Sequence, residues 1–156
     1  MTSSENEFEC CYKRAIFHLG RRALSSHKLK EKLSPHFSAQ TIELCIEKLK
    51  EKKYLDDQDY LQKKWQSKKL KGHSNYAISR KMSMEGFDSE TLKNELQHYK
   101  KERVEDDLEI LLDYVKTKKR NLLESREKLC RHLAYKGHSY STIEKIWQKL
   151  TSEINH

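Results

Sequence analysis

One apolar pattern recurs three times along this chain, at a spacing of about 50 residues. Leu29-x3-Leu33 leads to Phe37-Ser38-x3-Ile42, Ile78-x3-Met82 to Phe87-Asp88-x3-Leu92, and Leu129-x3-Leu133 to His138-Ser139-x3-Ile143. The anchors fall in register from Phe37, Phe87 and His138 onward. The one offset lies before Phe37, where Ser34-Pro35-His36 stands in for longer turns ending in Gly86 and Gly137. A repeat of this length implies stacked supersecondary units, each burying its apolar face on the next. Stacked units form elongated surfaces suited to large partners. That expectation points away from an enzyme.

The units should be helical. Of 156 residues only four are Gly and one is Pro, so little interrupts a helix. Valine occurs only at Val104 and Val115, and no run alternates with period two, so no sheet is expected. Hydrophobic residues make up 35% and charged residues 36%, which supplies thin helical stripes rather than a thick core. The fold class read from the chain is all-α: three tandem three-helix repeats, each helix-turn-helix-like, forming an elongated array.

The boundaries follow from caps and stops. Residues 1–9, with Glu5, Glu7 and Glu9, read as a flexible acidic lead-in. Repeat 1 spans 10–53. Its first helix carries Ala15, Ile16 and Leu19 on one face and ends at Gly20 and Arg21-Arg22. Ser25 or Ser26 caps a helix that Pro35 stops, and Ser38 caps a third bearing Ile42, Cys45, Ile46 and Leu49. Repeat 2 spans 54–101. Asp56 caps its first helix, Ser74 or Asn75 the second, and Asp88 the third, with Gly86 in a left-handed turn between. Repeat 3 spans 102–156, starting near Asp106-Asp107, with Ser125 and Ser139 as caps and Gly137 closing the middle helix.

Chemistry is sparse. No phosphate-cradling glycine loop, nucleophile elbow or metal-spaced histidine pair is present. No catalytic, cofactor or metal residue is assigned. Asp56-Asp57 and Asp106-Asp107 are sequence neighbours at helix starts, where acid is itself stabilising, so both pairs read as caps. Cys10, Cys11, Cys45 and Cys130 have no zinc or redox spacing and read as free thiols, Cys45 and Cys130 partly buried. His138 stands where Phe37 and Phe87 stand, which predicts packing in a turn. No stretch approaches 18 apolar residues, and Met1-Thr2-Ser3-Ser4-Glu5 lacks signal-peptide form, so a cytoplasmic protein with no membrane contact is expected.

Charge is more telling. The formal net charge is +8, which favours a polyanionic partner. Lys63, Lys64, Lys68, Lys69 and Lys71 end the first helix of repeat 2. Lys116, Lys118, Lys119 and Arg120 hold the matching place in repeat 3, and Arg21 and Arg22 that of repeat 1. Cations at a helix C-terminus suit its dipole, and that would explain any one cluster. Three at one repeat position would form a basic edge, the footprint of a polyanion site. The third helices are expected to expose Glu43, Glu47 and Lys48, then Glu90, Lys93 and Glu95, then Glu144, Lys145 and Lys149. None contains arginine, so sequence-specific reading of a major groove is not expected. Weak non-specific phosphate contact remains open.

Four strings resemble the bacterial regulatory protein family RecX: Arg22-Ala-Leu-Ser25-Ser-His-Lys-Leu29, Tyr54-Leu55-Asp56-Asp57, Lys71-Gly72, and Leu129-x3-Leu133-Ala-Tyr-Lys136-Gly137-His-Ser139. Their order matches over about residues 10–150. Departures are Lys28, where an acid is usual, Lys71-Gly72-His73-Ser74, which lacks the second glycine common there, Ala77, where arginine is frequent, and His138, where an aromatic is usual. The resemblance implies a curved array of three helical units. It implies a non-enzymatic, monomeric modulator of homologous recombination, DNA repair and the SOS response. Such a protein lies in the groove of the RecA–single-stranded-DNA filament and inhibits its ATPase and strand exchange. The alternative from another class is a nucleic-acid-binding protein acting without RecA.

Overall fold

Seven short polar side chains set helix starts by accepting the backbone N–H three residues on, which satisfies one of the donors a helix leaves open. They are Ser25, Ser38, Asp56, Ser74, Asp88, Ser125 and Ser139, bonded to the amides of Lys28, Thr41, Asp59, Ala77, Thr91, Lys128 and Thr142. Where the sequence left Ser25 or Ser26 and Ser74 or Asn75 open, Ser25 and Ser74 take the cap. Gly86 and Gly137 close helices in the left-handed region, at φ 99° and 94°.

The computed structural model describes residues 3–102 and 107–154. Among them the order is α1 (Ser3–Arg21), α2 (Ser26–Leu33), α3 (Ala39–Glu51), α4 (Asp57–Leu70), α5 (Asn75–Met84), α6 (Ser89–Glu102), α7 (Asp107–Lys118), a 3₁₀ turn (Arg120–Glu124), α8 (Arg126–Tyr135) and α9 (Tyr140–Ile154). No strand occurs among the described residues, and the fold is all-α. Asp106 lies outside them. The chain forms two compact units, Met1–Leu61 and Gln62–His156.

In the first unit the core gathers Cys11 and Ala15 of α1, Leu29 and Leu33 of α2, Ile42, Cys45, Ile46 and Leu49 of α3, and Leu24 and Leu55. Two expectations change here. Helix α1 starts at Ser3, inside the segment read as a flexible lead-in. Glu7 fastens it, accepting the Ser38 amide at 2.9 Å and the Thr41 hydroxyl at 3.0 Å, which holds its carboxyl below the usual range. The buried face of α1 is also rotated: Phe8, Cys11, Tyr12, Ala15 and Leu19 pack inward, while Ile16 is 37% exposed. Gly20 lies within the helix rather than ending it.

Cys11 and Cys45 are both fully buried free thiols with a hydrogen bond between them; burial pushes Cys11 up to about 12 and raises Cys45. Both are protonated, inert core residues. At the end of the same unit Asp56 caps α4, but Asp57 does not. Its carboxylate accepts the backbone N–H of Ser26 at 2.7 Å and the Ser26 hydroxyl, so it ties the start of α4 to the start of α2.

In the second unit Leu111, Tyr114, Val115, Leu129, Leu133, Ile143, Ile146 and Leu150 form one core. Trp65, Ile78 and Met82 are buried on the helices before it. The 3₁₀ turn was not expected from the sequence. It places Leu122 in the core of α7–α9 and interrupts the basic run, so Arg120 follows the end of α7 instead of prolonging it.

Candidate anion-binding site around a doubled turn

The string Lys-Gly-His-Ser occurs twice, at 71–74 and at 136–139. The first links α4 to α5 and the second α8 to α9. The fold sets the two turns against each other. The Ser74 amide donates to the Lys136 carbonyl at 3.0 Å. His138 Nε2–H donates to the Gly72 carbonyl at 2.7 Å, which fixes the tautomer because a carbonyl only accepts. So His138 packs in a turn, as expected, but through a polar contact between turns.

Glycine is required on both sides. Gly72 has φ 89°, and a Cβ there would stand 2.4 Å from the Tyr114 ring. Gly137 has φ 94°, and a Cβ there would stand 2.5 Å from Ser74 Oγ. Both a left-handed backbone and a side-chain clash would oppose any other residue.

Beneath the turns, Asn75 Oδ1 accepts the buried Trp65 Nε1–H at 3.1 Å, and Asn75 Nδ2 donates to Asp107 at 3.0 Å. The other Asp107 oxygen stands 3.2 Å from Lys69 Nζ. Lys69 is only 6% exposed, with its ammonium 5.9 Å from the centre of the Tyr99 ring. It was expected on the basic edge. Its charge is held inside the unit and it leaves that set.

Above the turns lies the opposite situation. After burial, the charge of Lys81 weighs most on Lys68. Lys71 and Lys81 each act on Lys68, His73 and Lys136, and Lys119 acts on Lys136 and His132. Lys136 Nζ sits 6.0 Å from the centre of the Tyr114 ring, and Tyr114 Oη and His132 Nε2 share a 2.8 Å hydrogen bond. Burial first, then these lysines, lowers Lys68 to about 8 and His73 to about 4. The same causes lower Lys136 and His132. No described carboxylate lies within 4.0 Å of Lys68, Lys71, Lys81, Lys119 or Lys136.

Lys64, Lys68, Lys71 and Lys119, from two separate runs in the sequence, therefore belong to one neighbourhood. Lys63, Lys118 and Arg120 are exposed, Lys118 beside Leu70 and Asp113 along a hollow. Lys116 pairs with Glu153 at the surface, which is worth little. Arg21, its guanidinium 5.7 Å from the centre of the Phe17 ring, and Arg22 are exposed at the end of α1 in the first unit. Sequence reasoning missed Lys81, Lys136, His73 and His132. The signal that could have found two of them, His73 and Lys136, is the identical Lys-Gly-His-Ser pair and the charge it repeats.

Among the described residues no group of three or more His, Cys, Asp or Glu could hold a metal ion, and no helix is long and apolar enough to cross a membrane. No family model matches the chain, and no curated protein matches it. Solved structures do. A crystal structure of regulatory protein RecX superposes with a TM-score of 0.69 at 18% identity, over 92% of this chain and 73% of the other. That of RecX from Lactobacillus salivarius gives 0.71 at 20% identity, over 94% of this chain and 98% of the other. The likeness is one of fold, and this chain has the fold of those two proteins.

Proposed function

We propose that this chain is a RecX-type regulator: a cytoplasmic, monomeric, non-enzymatic protein that binds the RecA–single-stranded-DNA filament and inhibits its ATPase and strand exchange. The observation that carries the reading is the fold shared with two RecX structures over more than nine-tenths of this chain. The ordered motifs from Arg22 to Ser139 support it. In this reading the three helix trios, 10–53, 54–101 and 102–156, stack as a curved array that spans successive filament subunits. Contact spread over several subunits gains affinity through effective concentration without a deep pocket.

The contact residues in this reading are Arg21, Arg22, Lys63, Lys64, Lys68, Lys71, Lys116, Lys118, Lys119 and Arg120, with Lys69 withdrawn. The test is the ATPase rate of assembled filaments at low salt with equimolar protein. A fall in rate is expected; an unchanged rate with folded protein overturns the reading. Neutralising the lysines of α4 and α7 should weaken binding and flatten its salt dependence.

A second reading rests on the lysine neighbourhood alone: direct, non-specific nucleic-acid binding without a recombinase. It expects a steep salt slope on naked single-stranded DNA. Gel shifts with and without RecA separate the two.

A further inference from the structure

Helix α1 carries an apolar stripe that the first unit leaves partly uncovered. Phe8, Tyr12 and Ile16 follow one another at four-residue steps, which sets them along one side of the helix over about 12 Å. Phe8 and Tyr12 are half-buried, with ring centres 6.1 Å apart, and Ile16 is exposed. Where the stripe begins, a hollow of about 790 Å³ opens between α1 and α3. Phe8 lines it from one helix and Leu44 from the other. Leu44 is 52% exposed and takes no part in the core of the unit. A single exposed leucine needs no explanation, but one that shares a preformed hollow with an aromatic ring is a docking feature.

The hollow is braced, and its charge is opposite to that of the whole chain. The Glu7 carboxylate accepts the Ser38 amide and the Thr41 hydroxyl, so it holds α1 to the start of α3. Glu5 and Glu9 line the same hollow one turn apart, about 6 Å along the helix. No lysine, arginine or histidine lines it, in a chain of formal charge +8. The helix dipole accounts for Glu5, in the first turn of α1, but its effect fades before Glu9. Glu9 forms no ion pair with a described residue.

We propose that the hollow between α1 and α3 is a docking groove for a basic amphipathic helix of a partner protein. The apolar side chains of that helix cover Phe8 and Leu44, and its lysines or arginines pair with Glu5 and Glu9. Charge excludes a nucleic-acid strand, whose phosphates the glutamates repel. A small polyamine would meet the carboxylates but leave Phe8 and Leu44 in water. A helix laid along the groove does both, with apolar anchors in the hollow and cations one turn apart beside them. The groove lies wholly in the first unit and does not depend on the recombinase reading, and its test contains neither recombinase nor nucleic acid.

The experiment is fluorescence anisotropy of a labelled peptide titrated with the full chain. The peptide is built of alanine, leucine and lysine, about 16 residues long so that it forms a helix, with one leucine stripe flanked by lysines four residues apart. Expected are a Kd below about 100 μM and an affinity that falls with salt. Glu5→Gln/Glu9→Gln should weaken binding about tenfold and flatten its salt dependence. Leu44→Ala should weaken it about fivefold and leave the salt dependence in place. Glu7 is kept and Leu44 lies outside the core, so folding should survive; if circular dichroism shows otherwise for the double variant, Glu9→Gln replaces it. Glu127→Gln/Tyr135→Ala, which removes an exposed acid and an exposed aromatic from the second unit, should bind as the parent does. A peptide of the same composition with its leucines scattered, and spermine, should each compete at least about tenfold less well. No binding, binding unchanged in the groove variants, or equal competition by either competitor overturns the proposal. Sedimentation velocity of the chain alone should show a monomer; a dimer that Leu44→Ala abolishes would seat a second copy in the groove and overturn it as well.

Discussion

Asp57 and Asp107 each open a helix, α4 and α7, and they are wired differently. Each is the first residue of its helix, and each reaches back about 30 residues to the residue after a serine cap: Ser26 after Ser25, Asn75 after Ser74. Asp57 meets neutral donors, the Ser26 amide and hydroxyl, with Lys50 no nearer than 3.9 Å. Asp107 meets an amide that also holds Trp65, and it faces the buried ammonium of Lys69. A helix-opening aspartate thus serves as a hydrogen-bonded tie in the first unit and as the counter-charge of a buried cation in the second. Asp107 is committed to Lys69, and the lysines above it have no described carboxylate of their own.

Substituting asparagine at each position breaks this comparison most sharply. An amide oxygen can still accept from Ser26, so Asp57→Asn should cost about 1 kcal/mol. It cannot balance an ammonium, so Asp107→Asn should cost about 3 kcal/mol. Urea unfolding followed by circular dichroism gives both values. Equal losses would mean that Lys69 does not depend on Asp107.

How much of this could be read in the sequence depends on range. Serine and aspartate caps act three residues along the chain, so Ser38, Asp88, Ser125 and Ser139 were legible one by one. Asp57 looked like its neighbour Asp56 because a capping reading considers only the local helix, whereas its partner lies 31 residues away. The phase of α1 was misread because Ile16 is more hydrophobic than Cys11, yet the cysteine points at Cys45 and the isoleucine does not. The lysine neighbourhood was half legible. Clusters at the ends of α4 and α7 stood out, but their union through Lys136 exists only because two identical turns meet. Lys69, in the middle of a basic run, carried no local sign of burial.

The second test moves one unit's wiring into the other. Asn75→Ser leaves the buried Trp65 Nε1–H without its acceptor, a loss of about 2 kcal/mol. Both tryptophans, Trp65 and Trp147, lie in the second unit, so fluorescence should shift with the change. An unshifted spectrum at unchanged stability would show that the Asn75 bridge is dispensable.

Acid should separate the units further. His73 is lowered to about 4 by burial and by Lys136, Lys68, Lys81 and Lys71. In the unfolded chain it titrates near 6.5, so between these values the unfolded state binds the extra proton. The contribution of His73 is complete above about 6.5 and is lost as the pH falls toward 4. With allowance for solvent screening, the loss by pH 5 is about 1 kcal/mol. His73→Gln should flatten that part of the stability profile. A profile that keeps its slope would assign the acid sensitivity elsewhere.

The smallest effect tests whether crowding, rather than burial alone, holds Lys68 down. Lys68 sits at about 8 in the fold against an ordinary value of 10.5, so across that interval the unfolded chain is the more protonated. Stability should therefore rise as pH climbs through 8 to 10.5, the reverse of what an ion-paired lysine would give. Lys81→Gln removes the nearest cation without opening a cavity at the surface. It should stabilise the protein at pH 7 by about 0.5 kcal/mol and reduce the rise above pH 8. Asp57 has no lysine neighbourhood above it, so Lys50→Gln in the first unit should do neither. If Lys81→Gln destabilises, the two ammonium groups are not in opposition, and the contrast between the units rests on Asp107 and Lys69 alone.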